Sequence, residues 1–333
     1  MITTIFEIRA RIIELYGRLE YMLVPAFRFL VAFLLLLTIN NHIGFREELT
    51  NRLLCAIIAL ICALVPPGFI AGIIMLVVLV HLYTLSLEVA AIAGVLFLLM
   101  YLLFFRFSPR DTMAVLLMPL AAVLNIQYAV PVVAGLLMTP GAAVGCAFSV
   151  LILNYLSYVE QNTAILRNAE IGEQTIANFR IILDSFMHNR EMWITAAAFA
   201  AAVIVVYFIR RLETAHSWTI AIIAGTVMEL FVLLLGDMEY DINMNFSKVF
   251  VGVFFSVLVE LLVEFFCFMV DYTRQENVQF EDDDYYYYVK AIPKVAVSAP
   301  VRTVKTFSFS GNGKARRPFA GETEENGETG EEL

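Results

Sequence analysis

Charge is scarce in this chain. Only 16% of its 333 residues are Asp, Glu, Lys or Arg, against 60% hydrophobic, and the mean hydropathy is +0.79. A soluble domain of this length has too little polar surface to cover such a composition. Cysteine is equally sparse: Cys55, Cys62, Cys146 and Cys267 lie in apolar runs without CxxC or Cys/His spacing, which argues for small buried hydrophobes and against a disulfide framework or a metal site. His81 and Glu88, seven apart, make a poor ligand pair. No metal or other cofactor is expected.

Catalytic signatures are missing too. The chain has no GxSxG, HExxH or Walker A motif and no GxGxxG between a strand and a helix, so it does not read as an enzyme. A basic patch interleaved with aromatics is lacking as well, which excludes a nucleic-acid partner. No small-x-small cleavage site follows Leu37-Thr38-Ile39-Asn40, so the first apolar segment is expected to be a retained anchor rather than a signal peptide.

What remains is a succession of apolar runs from about Tyr21 to Val270. They are continuous rather than alternating, as expected of an all-α polytopic membrane protein and not of a β-barrel. Residues 1–20 place Ile5, Ile8, Ile12, Leu15 and Leu19 on one face and Glu7, Arg11, Glu14 and Arg18 on the other, a pattern for an amphipathic helix lying in the interface. A first transmembrane block covers 21–158. Arg28, near the start of its first span, is expected to snorkel to the headgroups.

Within that block the helices are interrupted. Pro66-Pro67-Gly68 divides residues 53–84 into two pieces of about fifteen residues each, and Ser86-Leu87-Glu88 sets off a third piece. The grammar recurs at 113–158: two short pieces flank Asn125-Ile126-Gln127, and Thr139-Pro140-Gly141 precedes a full-length helix. Short pieces fall below the roughly 20 residues that span a bilayer. They read either as short spans, giving about ten membrane segments, or as re-entrant hairpins, giving six crossings. The units 53–105 and 113–158 would begin on opposite sides, as in an inverted repeat.

Residues 159–192 form a polar interlude with apolar side chains near helical spacing, an expected external amphipathic segment. A second transmembrane block, 193–271, carries three spans. Arg106, Arg110, Arg210 and Arg211 mark their loops as cytoplasmic, and Asp237, Glu239 and Asp241 mark theirs as external. Arg46 and Arg52 dissent, offset by Glu47 and Glu48. Both termini are then cytoplasmic in a cell-membrane protein. The tail, 272–333, is expected to be disordered from about residue 310. Counted from Asp271, twelve acidic and eight basic residues give the C-terminal region −4 of the total −9 charge.

Three carboxylates stand out because a charge at mid-bilayer costs about 2.5–3.5 kcal/mol on insertion scales. Glu260 and Glu264 are one helical turn apart in the last apolar run, and Glu229 lies near the middle of the run before it. Buried carboxyls close to one another favour protonation and can carry a proton or hold a cation. The competing reading is structural: protonated or paired acids that join helices. A second candidate is the interrupted segments. Broken helices free backbone groups at membrane depth, tolerable only inside protein or beside water, so Pro66, Pro67, Gly68, Asn125 and Gln127 could line a substrate path. The alternative there is a pair of plain kinks.

The most distinctive local sequence is Glu281 to Lys294, in which Asp283 and Asp284 run into Tyr285, Tyr286, Tyr287 and Tyr288. Tyrosines alternating across a strand could bind a cytoplasmic partner protein. Val278-Gln279-Phe280-Glu281-Asp282-Asp283-Asp284-Tyr285 through Lys294, following a helix that ends in Val270-Asp271-Tyr272, resembles a group of uncharacterised Gram-positive bacterial membrane proteins, some labelled ABC transporter permeases. The resemblance covers about fifteen residues; it implies a transport-associated role and supplies no substrate and no catalytic residues. The leading expectation is a membrane transport protein, either an ion-coupled carrier or a permease-like subunit. The competing class is a membrane scaffold of cell-envelope machinery. Expected partners are the lipid bilayer and a protein reached through the tail, with a homo-oligomer left open.

Overall fold

A computed structural model of the protein describes residues 2–167, 180, 184, 186–214, 216–267, 276–281 and 285–291. Expectations for the rest of 159–192, for Asp283 and Asp284, and for the tail beyond residue 291 lie outside the described residues.

The chain is an all-helical bundle followed by one β-hairpin. α1 (Ile2–Ile43) is a single helix of 42 residues, rising about 63 Å. The boundary expected after residue 20 does not exist: Leu19-Glu20-Tyr21 offers no residue that terminates a helix, and Pro25 is accommodated inside it. α2 (Arg52–Leu64) follows, its first turn capped by the Asn51 side chain, which accepts from the Leu53 amide at 2.9 Å. α3 (Pro67–Leu85) has 19 residues, so the two equal pieces expected for 53–84 are one short and one full-length helix. The reason is positional: proline at the first helical position has no amide to lose, so Pro67 starts α3 rather than interrupting it.

Ser86, extended, separates α3 from α4 (Leu87–Met100), which continues as a wide π-turn through Phe105. α5 (Thr112–Val123) and α6 (Ala129–Leu137) have 12 and 9 residues, rising about 18 and 14 Å. α7 (Ala142–Gln161) and the short α8 (Thr163–Arg167) lead to α9 (Arg190–Ile209), α10 (Ser217–Tyr240) and α11 (Phe246–Cys267). Seven helices (α1, α3, α4 with its π-turn, α7, α9, α10 and α11) are long and apolar enough to cross a membrane. The protein is therefore a multi-pass helical membrane protein.

α9 sits centrally, packed on α10, α7 and α6. Most of its inward residues are small or slender (Ala196, Ala198, Ala202, Val203, Val206), with Met192 and Phe199 as the large ones. Lipid gives no hydrophobic drive to helix association, so close approach of small residues supplies the packing instead. Gly225 of α10 shows how close this is: a β-carbon there would collide with Val206 of α9.

Arg28 sits beside the end of α2. It is half-buried and donates from Nη1 to the Val65 carbonyl at 3.3 Å. Two prolines follow Val65, and the carbonyls at a helix end have no intrahelical partner, so the cation caps the C-terminus of α2. At the other end of α1, Arg9 donates from Nε to the Phe265 carbonyl at 2.8 Å, joining the first helix to the last. Among the described residues the four cysteines are free; Cys55, Cys62 and Cys146 are buried and Cys267 is exposed.

β1 (Glu276–Glu281) pairs antiparallel with β2 (Tyr286–Ala291), with Phe280 opposite Tyr287. Those two rings stack with centroids 4.8 Å apart, and Tyr285 to Tyr288 are all exposed.

Candidate functional site

The facing surfaces of α10 and α11 carry the three carboxylates. On α11, Val249, Gly252, Val253, Ser256 and Glu260 are buried, whereas Phe250, Val251, Phe254, Phe255 and Leu258 are exposed. That is one helical stripe turned inward and a lipid-type surface turned outward. Glu260, 1% exposed, is on the inward stripe. Glu229, on α10, is fully buried. Glu264, a turn beyond Glu260, is half-buried.

Two of the acids meet threonine hydroxyls of α10. Thr219 Oγ1 donates to Glu264 Oε1 at 2.6 Å, and Thr226 Oγ1 approaches Glu260 Oε2 at 3.3 Å while lying 2.9 Å from the Ile222 carbonyl. The antiparallel register then brings Glu229 to the level of Ser256. Among the described residues neither carboxyl oxygen of Glu229 has a hydrogen-bond partner, and neither does Ser256 Oγ. From Thr219 to Glu229 the polar ladder climbs about 15 Å along α10.

Sequence reasoning missed the hydroxyls. Thr219, Thr226 and Glu229 recur at intervals of seven and three, which places them on one helical face. That spacing was the available signal.

α5 and α6 form a helical hairpin whose tip reaches this ladder. Asn125 has φ 57°, the left-handed conformation that Asn tolerates better than most residues. Its amide donates to the Ala122 carbonyl at 3.0 Å and the Ile126 amide to the Ala121 carbonyl at 2.8 Å, a Schellman arrangement that satisfies the end of α5. The break therefore leaves few free backbone groups, and its side chains become the reactive surface. At the base, Asp111, buried, accepts from the Thr139 amide at 3.4 Å and from the Thr139 hydroxyl, and Arg210 donates to the Met138 carbonyl at 2.8 Å.

The tip packs on α11. Asn125 Nδ2 donates to the Lys248 carbonyl at 3.3 Å, and a β-carbon on Gly252 would lie 2.7 Å from the Asn125 carbonyl oxygen and 2.9 Å from the Tyr128 ring. The broken helix and the acid ladder, read from distant parts of the sequence, thus meet at α11.

On its other side the tip borders a cavity of about 710 Å³, lined by α1, α3, α4, α5 and α7 together with Gln127 and Lys248. None of the three acids lines it. Pro66, Pro67 and Gly68 do not line it either: Gly68 lies beside Thr112, the first residue of α5, at the opposite end of that helix from Asn125. His81 is buried and accepts the Arg46 amide at Nδ1 (3.3 Å), and Glu88 accepts from the Ser86 hydroxyl. Among the described residues no group of three or more His, Cys, Asp or Glu side chains is arranged to hold a metal ion.

The left-handed turn gives a direct test of the tip. Asn125→Gly, which loses the side-chain hydrogen bond to Lys248, is expected to cost about 1 kcal/mol or less, whereas Asn125→Val should lose about 1–2 kcal/mol more because a β-branched side chain strains that backbone. Thermal unfolding of both variants in detergent checks this; equal midpoints would mean that the tip relaxes freely. Neither a family model, nor a curated protein, nor a solved structure matches the chain.

Proposed function

We propose that the protein is a proton-coupled membrane transporter of the cell membrane, in which the α5–α6 hairpin connects a substrate cavity to a proton-carrying ladder. The observation that carries this reading is the hairpin tip: Gln127 borders the cavity, while its neighbour Tyr128 packs on Gly252 of α11, the helix that bears Glu260 and Glu264. Glu229, Glu260 and Glu264 carry the proton, with Thr219, Thr226 and Ser256 between them. A buried carboxyl without a partner is stable only when neutral, so loading and unloading Glu229 alters the electrostatics at Tyr128. The short tail motif shared with the proteins labelled permeases agrees with a transport role.

The topology that fits this reading has eight passes. The short α2 and the extended Val65–Pro66 together complete one, and α5–α6 forms a re-entrant hairpin because helices rising about 18 and 14 Å fall short of a 30 Å core. Both termini are then cytoplasmic. The units 53–105 and 113–158 remain candidates for an inverted repeat, with middle helices of 19 and 9 residues. The exposed tyrosine row on β2 favours a second role, docking of a cytoplasmic partner in a scaffold.

Proteoliposomes enclosing a pH-sensitive dye, given an imposed pH gradient and a broad substrate panel, test the proposal. Wild type should acidify its lumen only with substrate present, and Glu260→Gln should reduce that rate at least about tenfold, since removing a positioned proton carrier costs about 10²–10⁴. Equal rates in wild type and Glu260→Gln, or no substrate-dependent flux at all, would sink the coupled-transport reading.

A further inference from the structure

The cavity wall is less polar than its composition suggests. Thr38, Ser149, Asn154 and Ser157 all line it. Thr38 Oγ1 donates to the Leu34 carbonyl at 2.9 Å, Ser149 Oγ to the Gly145 carbonyl at 2.9 Å and Asn154 Nδ2 to the Val150 carbonyl at 3.0 Å. Ser157 Oγ accepts from Gln161 Nε2 at 3.2 Å. Each of these groups is turned to its own helix. The wall left to an occupant is hydrocarbon: Leu35, Ile39, Met75, Val78, Phe97 and Leu116.

The polar groups that remain are gathered at one end. His42 and Glu160 face each other at 3.0 Å across the ends of α1 and α7 and are committed to one another. Lys248 is different. It is exposed, it lines the cavity, and no carboxylate among the described residues pairs with it. The hairpin holds Gln127 close by, through Asn125 on the Lys248 carbonyl, and Gln127 Oε1 has no hydrogen-bond partner among the described residues. One unpaired cation and one amide thus stand together at the mouth of an apolar slot. Lining residues along α7 run from Ser149 to Glu160, about 17 Å of helix, so the slot is elongated. A volume of about 710 Å³ falls in the range of about 300–1,000 Å³ that holds small ligands.

We propose that this cavity binds a single-chain membrane amphiphile, its hydrocarbon chain lying between α1, α3, α5 and α7 and its anionic head paired with Lys248. A hydrocarbon chain suits a wall that is largely apolar and whose polar side chains are engaged mainly within their own helices. The anionic head follows from charge complementarity, and a water-soluble polar solute would find partners only at the rim. This inference names the occupant of the cavity in the transport reading, and rests on that reading only for the movement of the occupant.

A single-chain alkyl phosphate carrying a diazirine at the chain end, incorporated into nanodiscs with the full-length protein, tests it. Irradiation followed by peptide mass spectrometry should place adducts on cavity residues such as Met75 and Leu116. Lys248→Glu should reduce those adducts by about tenfold through charge reversal. Ala122→Trp, which fills the slot from α5, should abolish them; its fold is checked by an unchanged melting profile, and Val115→Phe serves as a second filling variant if it unfolds. A neutral alkyl alcohol probe should label wild type and Lys248→Glu alike. Adducts confined to outward residues such as Phe254, or alkyl phosphate labelling that is indifferent to both Lys248→Glu and the filling variants, would overturn the proposal. Cavity labelling without proton-coupled flux would leave the site standing and remove transport; coupled flux without cavity labelling would do the reverse.

Discussion

A Glu229→Leu variant is expected to lose proton-coupled flux by about a hundredfold and yet to unfold at a higher temperature than the wild type. Both carboxyl oxygens of Glu229 are buried without a hydrogen-bond partner among the described residues, and a buried unsatisfied polar group costs about 1–3 kcal/mol. Leucine at this position removes that cost, fills a similar volume and ends the repulsion with Glu260. At a few degrees per kcal/mol for a domain of this size, the melting midpoint in detergent should rise by about 2–6 °C. Glu229→Gln separates the two effects. It keeps the polar burden, so its midpoint should stay near wild type, and it carries no proton, so its flux should fall as far as that of the leucine variant. A lower midpoint for Glu229→Leu would show that the carboxyl is satisfied in the assembled protein and belongs to its structure. A residue that costs stability and is required for activity is what a functional site looks like in energetic terms.

Gly252→Val is expected to have the second large effect. The added β-carbon meets the backbone carbonyl oxygen of Asn125 at 2.7 Å, and a backbone atom has no rotamer by which to move aside. Either α11 or the hairpin tip must shift, at a cost of about 1–3 kcal/mol for overpacking. Such a shift would part Tyr128 from the acid ladder, so flux should fall at least about tenfold, and thermal unfolding should show the stability loss in the same preparation. Gly72 of α3 provides the control: a β-carbon there meets nothing within 4 Å, and Gly72→Val should leave flux and midpoint within error of wild type. If Gly252→Val matched Gly72→Val, the contact between tip and α11 would have no part in coupling.

The legible and illegible parts of this fold divide along physical lines. Breaks were legible wherever the chain loses a donor or turns left-handed: Pro66-Pro67, Ser86, Asn125 and Thr139-Pro140-Gly141 all separate helices. Which side of a break a proline serves was harder to see, because Pro67 both ends the run before it and begins α3. α1 continued through the expected boundary since an amphipathic pattern and an apolar one share the same period and join without a seam. The depth of the acids could be read from one chain segment at a time. Their neighbours could not, because the register of α10 against α11 shows only in contacts between the two helices, such as Thr219 to Glu264 and Thr226 to Glu260. The cavity was invisible for a related reason. It is defined by five helices, and the commitment of its hydroxyl groups to their own backbones appears only once side-chain directions are known.

The bond from Arg9 to the Phe265 carbonyl spans 256 residues of sequence. Its two ends are among the first and last parts of the membrane bundle to leave the ribosome. At about 5–20 residues per second, roughly 13–50 seconds of synthesis separate the arginine from its acceptor. Through that interval the guanidinium stays solvated at the surface, and α1 waits in the bilayer with one end unlatched. A chain truncated before residue 265 keeps the packing of α1 on α2, α3 and α5 but lacks the Arg9 bond that fastens it to α11.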